Sequence, residues 1–304
     1  MIDAASPEEA LKIFVDPGYG GSGEEINIWN YEELLSNEIK EAYSLLVKVS
    51  PDPVAMPPFL RKWDFHNSKV IIKGELSGIT YDKLLVDAGT IPAGTLVDSI
   101  KDRSFKNLPG SLTEAIRNSI ETYNKTGDPQ LIDFIHDIAA HRQMLEDTEK
   151  TENDFVKGLF RLKTDFLKIK TFLRVKRTGG SSDYLKRVLM DGGALEPGFF
   201  IGKLDSPYEV FLASIKISPY RELCEKAFKS FLSAGSLVEY ERLTDDYITG
   251  YVSKSRYIAV GMEPLIAYLV AMEIEITNVR IILVGKINNV PHESIRERLR
   301  RTYA

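Results

Sequence analysis

The residues best equipped for chemistry are four histidines, a single cysteine and one glycine-rich stretch. His136-Asp137-x-x-x-His141 resembles a metalloprotease helix, in which two imidazoles on one face hold zinc. Here the rings are five residues apart, which turns the second about 140° from the first. Asp133, His136 and Asp137 do share a face and could hold a divalent cation; the plainer reading is a solvated polar face. His66 and His292 are isolated. Gly18-Tyr19-Gly20-Gly21-Ser22-Gly23 resembles a phosphate loop, but a dinucleotide site needs a strand before it and a helix opening on it. The preceding Glu8–Val15 has a helical pattern, so the stretch is expected to be an inter-helix loop. No Gly-x-Ser-x-Gly elbow is present, and Cys224 falls on an amphipathic helix as a buried thiol. No catalytic residue, metal ligand, cofactor or small-molecule substrate is therefore expected.

Charge is more informative. Between Arg161 and Arg177 stand seven bases, Arg161, Lys163, Lys168, Lys170, Arg174, Lys176 and Arg177, against one acid, Asp165. Lys163, Lys170, Arg174 and Arg177 form a stripe beside an apolar seam. Arg296, Arg298, Arg300 and Arg301 make a second cluster, placed to suit the end of a helix dipole. These sets read either as solvated helix faces or as docking surfaces for acidic partners.

The elements that must position these residues are helices. Leu265, Leu269, Met272, Ile276, Val279 and Leu283 are spaced 4, 3, 4, 3, 4, a single apolar stripe. Leu159, Leu162, Phe166, Ile169 and Leu173 repeat the pattern, as do stretches around 31–49, 112–123, 131–145, 209–217 and 221–232. Strand-like alternation is scarce, so the fold class is all-α. Ser181 or Ser182 is placed to cap one helix, and Pro291 with Glu293 fits the first turn of another. With 304 residues, 43 % apolar and 27 % charged, the chain is long enough for a substantial core. Its net charge of −5 gives no global pull toward nucleic acid or anionic lipid. One cysteine excludes an internal disulfide, and the longest apolar run, 264–272, is too short to span a membrane. The start of the sequence carries no signal-peptide pattern.

The chain also resembles itself. Leu85, Asp87, Gly89 and Gly94 coincide with Leu189, Asp191, Gly193 and Gly198 at an offset of 104. Upstream of each motif is a long helix with an acid followed five residues later by a base: Asp64 and Lys69, then Asp165 and Lys170. The last long helix offers Glu275 and Arg280. Ser6-Pro7 and Asp16-Pro17 are matched by Ser206-Pro207 and Ser218-Pro219. The pattern predicts three helical repeats, 1–105, 106–204 and 205–304, around a pseudo-threefold axis, because the period is too long for a solenoid. Asp64, Lys69, Asp165 and Glu275 are candidates for intrahelical or inter-repeat ion pairs that set register. The lack of a catalytic constellation favours a structural or coupling role. A helical adaptor binding another protein in a groove shares these features, and an all-α enzyme would need a deep pocket with perturbed acids.

The run Gly261-Met262-Glu263-Pro264-Leu265 followed by Asn278-Val279-Arg280-Ile281-Ile282-Leu283-Val284-Gly285-Lys286 resembles the C subunit of the A/V-type rotary ATPases, which is related to the d subunit of the eukaryotic V-ATPases. Asp165–Arg174 and Asp64–Lys69 are similar to that family's earlier copies. The resemblance implies three helical subdomains arranged as a funnel, without an active site. It implies a rotor spacer on the cytoplasmic face of the membrane proteolipid ring, with the central shaft in the funnel, coupling ATP synthesis or hydrolysis to proton or sodium transport. Family members carry a further N-terminal helical stretch, so 1–105 is expected to hold the first repeat without that helix, leaving an apolar strip exposed. The candidates for docking partner carboxylates are Lys163, Lys170, Arg174, Arg177, Arg280 and Lys286.

Overall fold

The structure, a computed structural model, describes residues 1–16, 27–216 and 218–303. The glycine-rich stretch 18–23 and Ile217 lie outside the described residues. Among the described residues every regular element is a helix. In chain order these are α1 (Pro7–Val15), α2 (Tyr31–Val49), α3 (Pro57–Ser77), α4 (Ala93–Lys101), α5 (Gly110–Thr126), α6 (Gln130–Lys150), α7 (Asp154–Arg177), α8 (Ser182–Val188), α9 (Pro197–Ile201), α10 (Tyr208–Ile215), α11 (Arg221–Ala234), α12 (Val238–Val252), α13 (Met262–Ile287) and α14 (His292–Arg296). The chain divides into two compact units, Tyr43–Phe160 and Met1–Ala42 with Arg161–Ala304, so the boundaries fall within α2 and α7.

In the unit Tyr43–Phe160, α3 opens on Pro57 and Pro58, where no intrahelical N–H partner is needed. It stops at Gly78, whose left-handed φ of 64° lets its N–H return to the Gly74 carbonyl. α3 packs along α6, and both pack on α5. Their shared core holds Phe65, Ile71, Ile72, Leu112, Ile116 and Ile132, with Leu96 and Ile100 of α4 closing one side. Such residues each contribute about 1.5–3 kcal/mol of apolar burial.

The discontinuous unit has an aromatic core. Phe211 stacks on Phe172 at 4.5 Å and on Phe228 at 5.5 Å, joining α10 to α7 and α11. α13, 26 residues and about 39 Å long, runs beside α1 and α12. The sequence shows one stripe on α13, yet Ile266, Val270, Ile274 and Ile282 are buried as well as Leu269, Met272, Ile276, Val279 and Leu283. A helix that is apolar on most sides is one enclosed by neighbours, here α1, α12, α14 and the turn 253–257. Cys224 is fully buried, and that burial pushes its thiol up to about 12. Ser181 caps α8 by accepting from the Tyr184 N–H, and Pro291 precedes the first turn of α14.

Candidate functional site

The acids picked out by self-similarity anchor loops. Asp64 on α3 is buried, and its carboxylate accepts from Thr90 Oγ1 at 2.6 Å and the Ile91 N–H at 3.0 Å. Burial raises its pKa, against the hydrogen bonds from Thr90 and Ile91 and the Arg61 charge. Asp165 on α7, also buried, accepts from the Ala194 and Leu195 N–H groups, each at 2.9 Å, and from Tyr220 Oη at 2.7 Å. Burial and this bond raise the Tyr220 pKa. The glycines of the matched motifs explain their place. A Cβ on Gly89 would overlap the Asp64 carboxylate, and one on Gly193 would overlap that of Asp165. Each loop thus passes close enough to present its next N–H groups to the helix acid.

A second anchor lies three residues on, about one helical turn away, and the sequence pattern missed it. Asn67 donates to the Val86 carbonyl at 2.8 Å and accepts from the Val86 N–H at 2.9 Å. Asn278 does the same to Arg300, at 3.0 and 2.8 Å. At the corresponding place on α7 is Lys168, fully buried, whose ammonium donates to the carbonyls of Gly192 and Leu195 and lies 3.8 Å from Asp165. Burial lowers its pKa, opposed by the Asp165 charge. Lys176 donates likewise to the carbonyls of Leu204 and Ser206, the latter at 2.6 Å. Two bases of the Arg161–Arg177 run therefore hold loops. For Lys168 the signals were its i, i+3 pairing with Asp165 and the Asn at the matching place of the other two helices; for Lys176 there was none.

The bases five residues beyond each acid reach neighbouring helices. Lys69 meets Asp137 of α6 at 2.6 Å, Lys170 meets Glu241 of α12 at 2.6 Å, and Arg280 makes a bidentate pair with Glu32 of α2, two contacts at 2.9 Å. Their acidic partners Glu32, Asp137 and Glu241 are 105 and 104 residues apart in sequence. A ring precedes each: Tyr31, His136 and Tyr240. Glu275 is half-buried on α13.

On α6, Asp133 and Asp137 stay exposed to solvent and are held by lysines, while His136 is turned into the core. Asp133 is taken by Lys73 at 2.5 Å and Asp137 by Lys69. His136 is fully buried, with Nε2 3.0 Å from Ser68 Oγ and Nδ1 3.0 Å from the Ile132 carbonyl. Burial pulls its pKa down to about 4, so the imidazole is neutral.

Of the docking candidates, Lys163 and Lys170 line one groove of about 360 Å³ with Phe166, Tyr240, Glu241 and Arg300. Arg174, 61 % exposed, lies 3.8 Å from Glu241. The Arg177 guanidinium rests against Gly235. Arg280 is engaged by Glu32, while Lys286 is buried and donates to the Ala4 carbonyl at 2.6 Å.

A family model described as the ATP synthase (C/AC39) subunit matches residues 1–298. The chain belongs to that family. It is 26 % identical over 279 residues to the C subunit of the V-type sodium ATPase of Enterococcus hirae, covering 90 % of this chain and 83 % of that one. It is 24 % identical over 325 residues to the C subunit of the A-type ATP synthase of Methanocaldococcus jannaschii, covering 98 % and 80 %. The corresponding A-type ATP synthase protein of Haloferax volcanii is 24 % identical over 257 residues, covering 79 % and 72 %. As a C/AC39 subunit the chain is a structural, non-enzyme component of a membrane-associated ATP synthase complex. No described helix is long and apolar enough to cross a membrane.

Proposed function

We propose that this C/AC39 protein is the rotor spacer of its complex. It links the central shaft to the membrane proteolipid ring from the cytoplasmic side, as a peripheral component, and so couples ATP synthesis or hydrolysis to proton or sodium movement. It is built from three repeats, 1–105, 106–204 and 205–304, set around a pseudo-threefold axis as a funnel. One observation carries the reading. Within these boundaries Lys69–Asp137 joins the first repeat to the second, Lys170–Glu241 joins the second to the third, and Arg280–Glu32 joins the third back to the first. Three equivalent links that return to their origin suit a part that must surround a shaft and transmit torque without splaying. Of the basic set, Lys163, Lys170 and Arg174 are proposed as direct docking contacts and Arg177 as a neighbour to them, whereas Arg280 and Lys286 are engaged within the chain by Glu32 and the Ala4 carbonyl.

The test is a tagged pull-down of the chain from detergent-solubilised membranes of its source, read by intact-complex mass spectrometry. Shaft proteins and proteolipid ring recovered with one copy of this chain per complex is the expected result. Recovery with unrelated soluble proteins alone would replace the spacer reading with that of an adaptor.

A further inference from the structure

The three inter-helix ion pairs are equivalent in position but not in surroundings. In the first, the additional bases on α3 have settled partners: Lys73 pairs with Asp133, and Lys62 lies 4.8 Å over the Trp63 ring. In the third, the positions matching Lys163 and Arg174 are Glu273 and Val284, so neither supplies a further cation beside Arg280. The second pair stands beside a groove, and the walls of that groove carry a surplus of positive charge.

That groove lies between α7, α12 and Arg300. Its floor is apolar, from Phe166, Leu167 and Tyr240, with Tyr240 Oη fixed by donation to the Phe166 carbonyl at 2.8 Å. Lys163, Lys170 and Arg300 line it against two acids, Glu241 and Asp245. Arg174 adds a fourth base at its edge, drawn to the same Glu241 that holds Lys170. Arg300 is held on Asp245 at 2.9 Å and by Asn278 through its backbone, so the far wall is preset. Burial raises the Asp245 pKa against the charges of Arg300 and Lys163. Lys170, Arg174 and Arg300 alone outnumber Glu241 and Asp245, which leaves a net positive recess in a chain whose total charge is negative. A carboxylate entering there would meet Lys170 and Arg174 while an adjoining apolar side chain covered the floor. This is the combination that gives a charged contact low exposure and hence weight.

We infer that this groove is a docking site for an acidic segment of a partner protein, a short stretch carrying carboxylates beside an apolar residue. The corresponding Lys69 and Arg280 pairs are internal struts. The inference rests on the proposed membership of a rotary complex and names one contact within it.

The test is zero-length carbodiimide cross-linking of the intact complex purified from source membranes, followed by peptide mapping. It joins only amines and carboxylates already in contact. Lys163 or Lys170 linked to an Asp or Glu of another protein of the complex is the expected result, with Lys69 linked only to Asp137. In parallel, Lys163→Gln and Lys170→Gln, which keep the aliphatic stems, should weaken association about tenfold each and reduce its salt dependence. Circular dichroism of the purified variants verifies that they fold. A complex that contains this chain, with both lysines linked only to Glu241 or Asp245 or not linked at all, overturns the inference. So does unchanged association of both variants. A complex that lacks the chain altogether overturns the proposed function instead, and this inference with it.

Discussion

Asn67 and Lys168 do one job in two ways. Each sits on the inner face of a long helix, three residues after a loop-anchoring acid, and each holds backbone groups of the following loop. Asn67 is a neutral amide that exchanges two hydrogen bonds with one residue and is satisfied by it. Lys168 is a buried ammonium that needs the Asp165 charge as well as two carbonyls. The neutral anchor degrades gently because its loss uncovers one peptide group. The charged anchor fails harder because its loss takes the donor from two loop carbonyls and the countercharge from buried Asp165, which keeps only neutral donors. Similar backbone geometry can thus carry very different sensitivity to mutation.

The largest effect is expected at the charged anchor. Lys168→Met should lower stability to urea by about 3–5 kcal/mol, the cost of leaving one partner of a buried pair. A loss equal to that at Asn67 would erase the distinction.

Next is a contrast between His136 and Tyr240, which occupy matching places before Asp137 and Glu241. The folded chain holds His136 neutral with a pKa of about 4, whereas the unfolded chain protonates it near 6.5. The unfolded state therefore binds the extra proton first. Stability is full above about pH 6.5 and falls on acidification to about pH 4, by up to about 3 kcal/mol. Urea unfolding at stepped pH should show that slope, and His136→Gln should flatten it. Tyr240 has no group that titrates in this window, so Tyr240→Phe should leave the slope in place.

Asn67→Ala comes third. It leaves the Val86 N–H and C=O without partners and should cost about 1–3 kcal/mol in the same assay. The smallest effect is at the struts. Lys69→Ala and Arg280→Ala should each change the stability of the isolated chain by less than about 1 kcal/mol, because both pairs are solvent-screened. A larger loss at Arg280 would mark that bidentate pair as structural in its own right.

The helices were legible because their apolar spacing is strong: the patterns at 31–49, 131–145 and 221–232 correspond to α2, α6 and α11. α12 was not, since Glu239, Glu241, Arg242, Asp245 and Asp246 break its apolar period with charges that the fold uses for pairing. The acids Asp64 and Asp165 could be found by self-similarity, because a loop glycine must accompany each. Of their working neighbours at the third position, Asn67 and Asn278 are the same residue, and only the middle copy departs, with Lys168. That change of type hides the shared role, although all three present N–H donors to a loop. The bases at the fifth position stood out because their sign is retained, but five residues is about 140° around the helix, so they point away from the acids and toward other helices. Lys286 and Lys168 show the same limit: a lysine buried against carbonyls and one in water look alike in a sequence.

Contacts between the chain's extremes have a consequence for synthesis. Lys286 grips the Ala4 carbonyl and Arg296 grips Asp3, at separations of 282 and 293 residues. The unit Tyr43–Phe160 is one uninterrupted run, so all its internal contacts become available once residue 160 has left the ribosome. The other unit must keep α1 waiting, with Ala10, Leu11 and Phe14 uncovered, until α13 has been made. Assembly is therefore vectorial: the inserted run is ready early, and the segment of chain before it is the last to find its place. Slowing translation after residue 160 should lengthen the interval in which that first helix is open to chaperones and proteases.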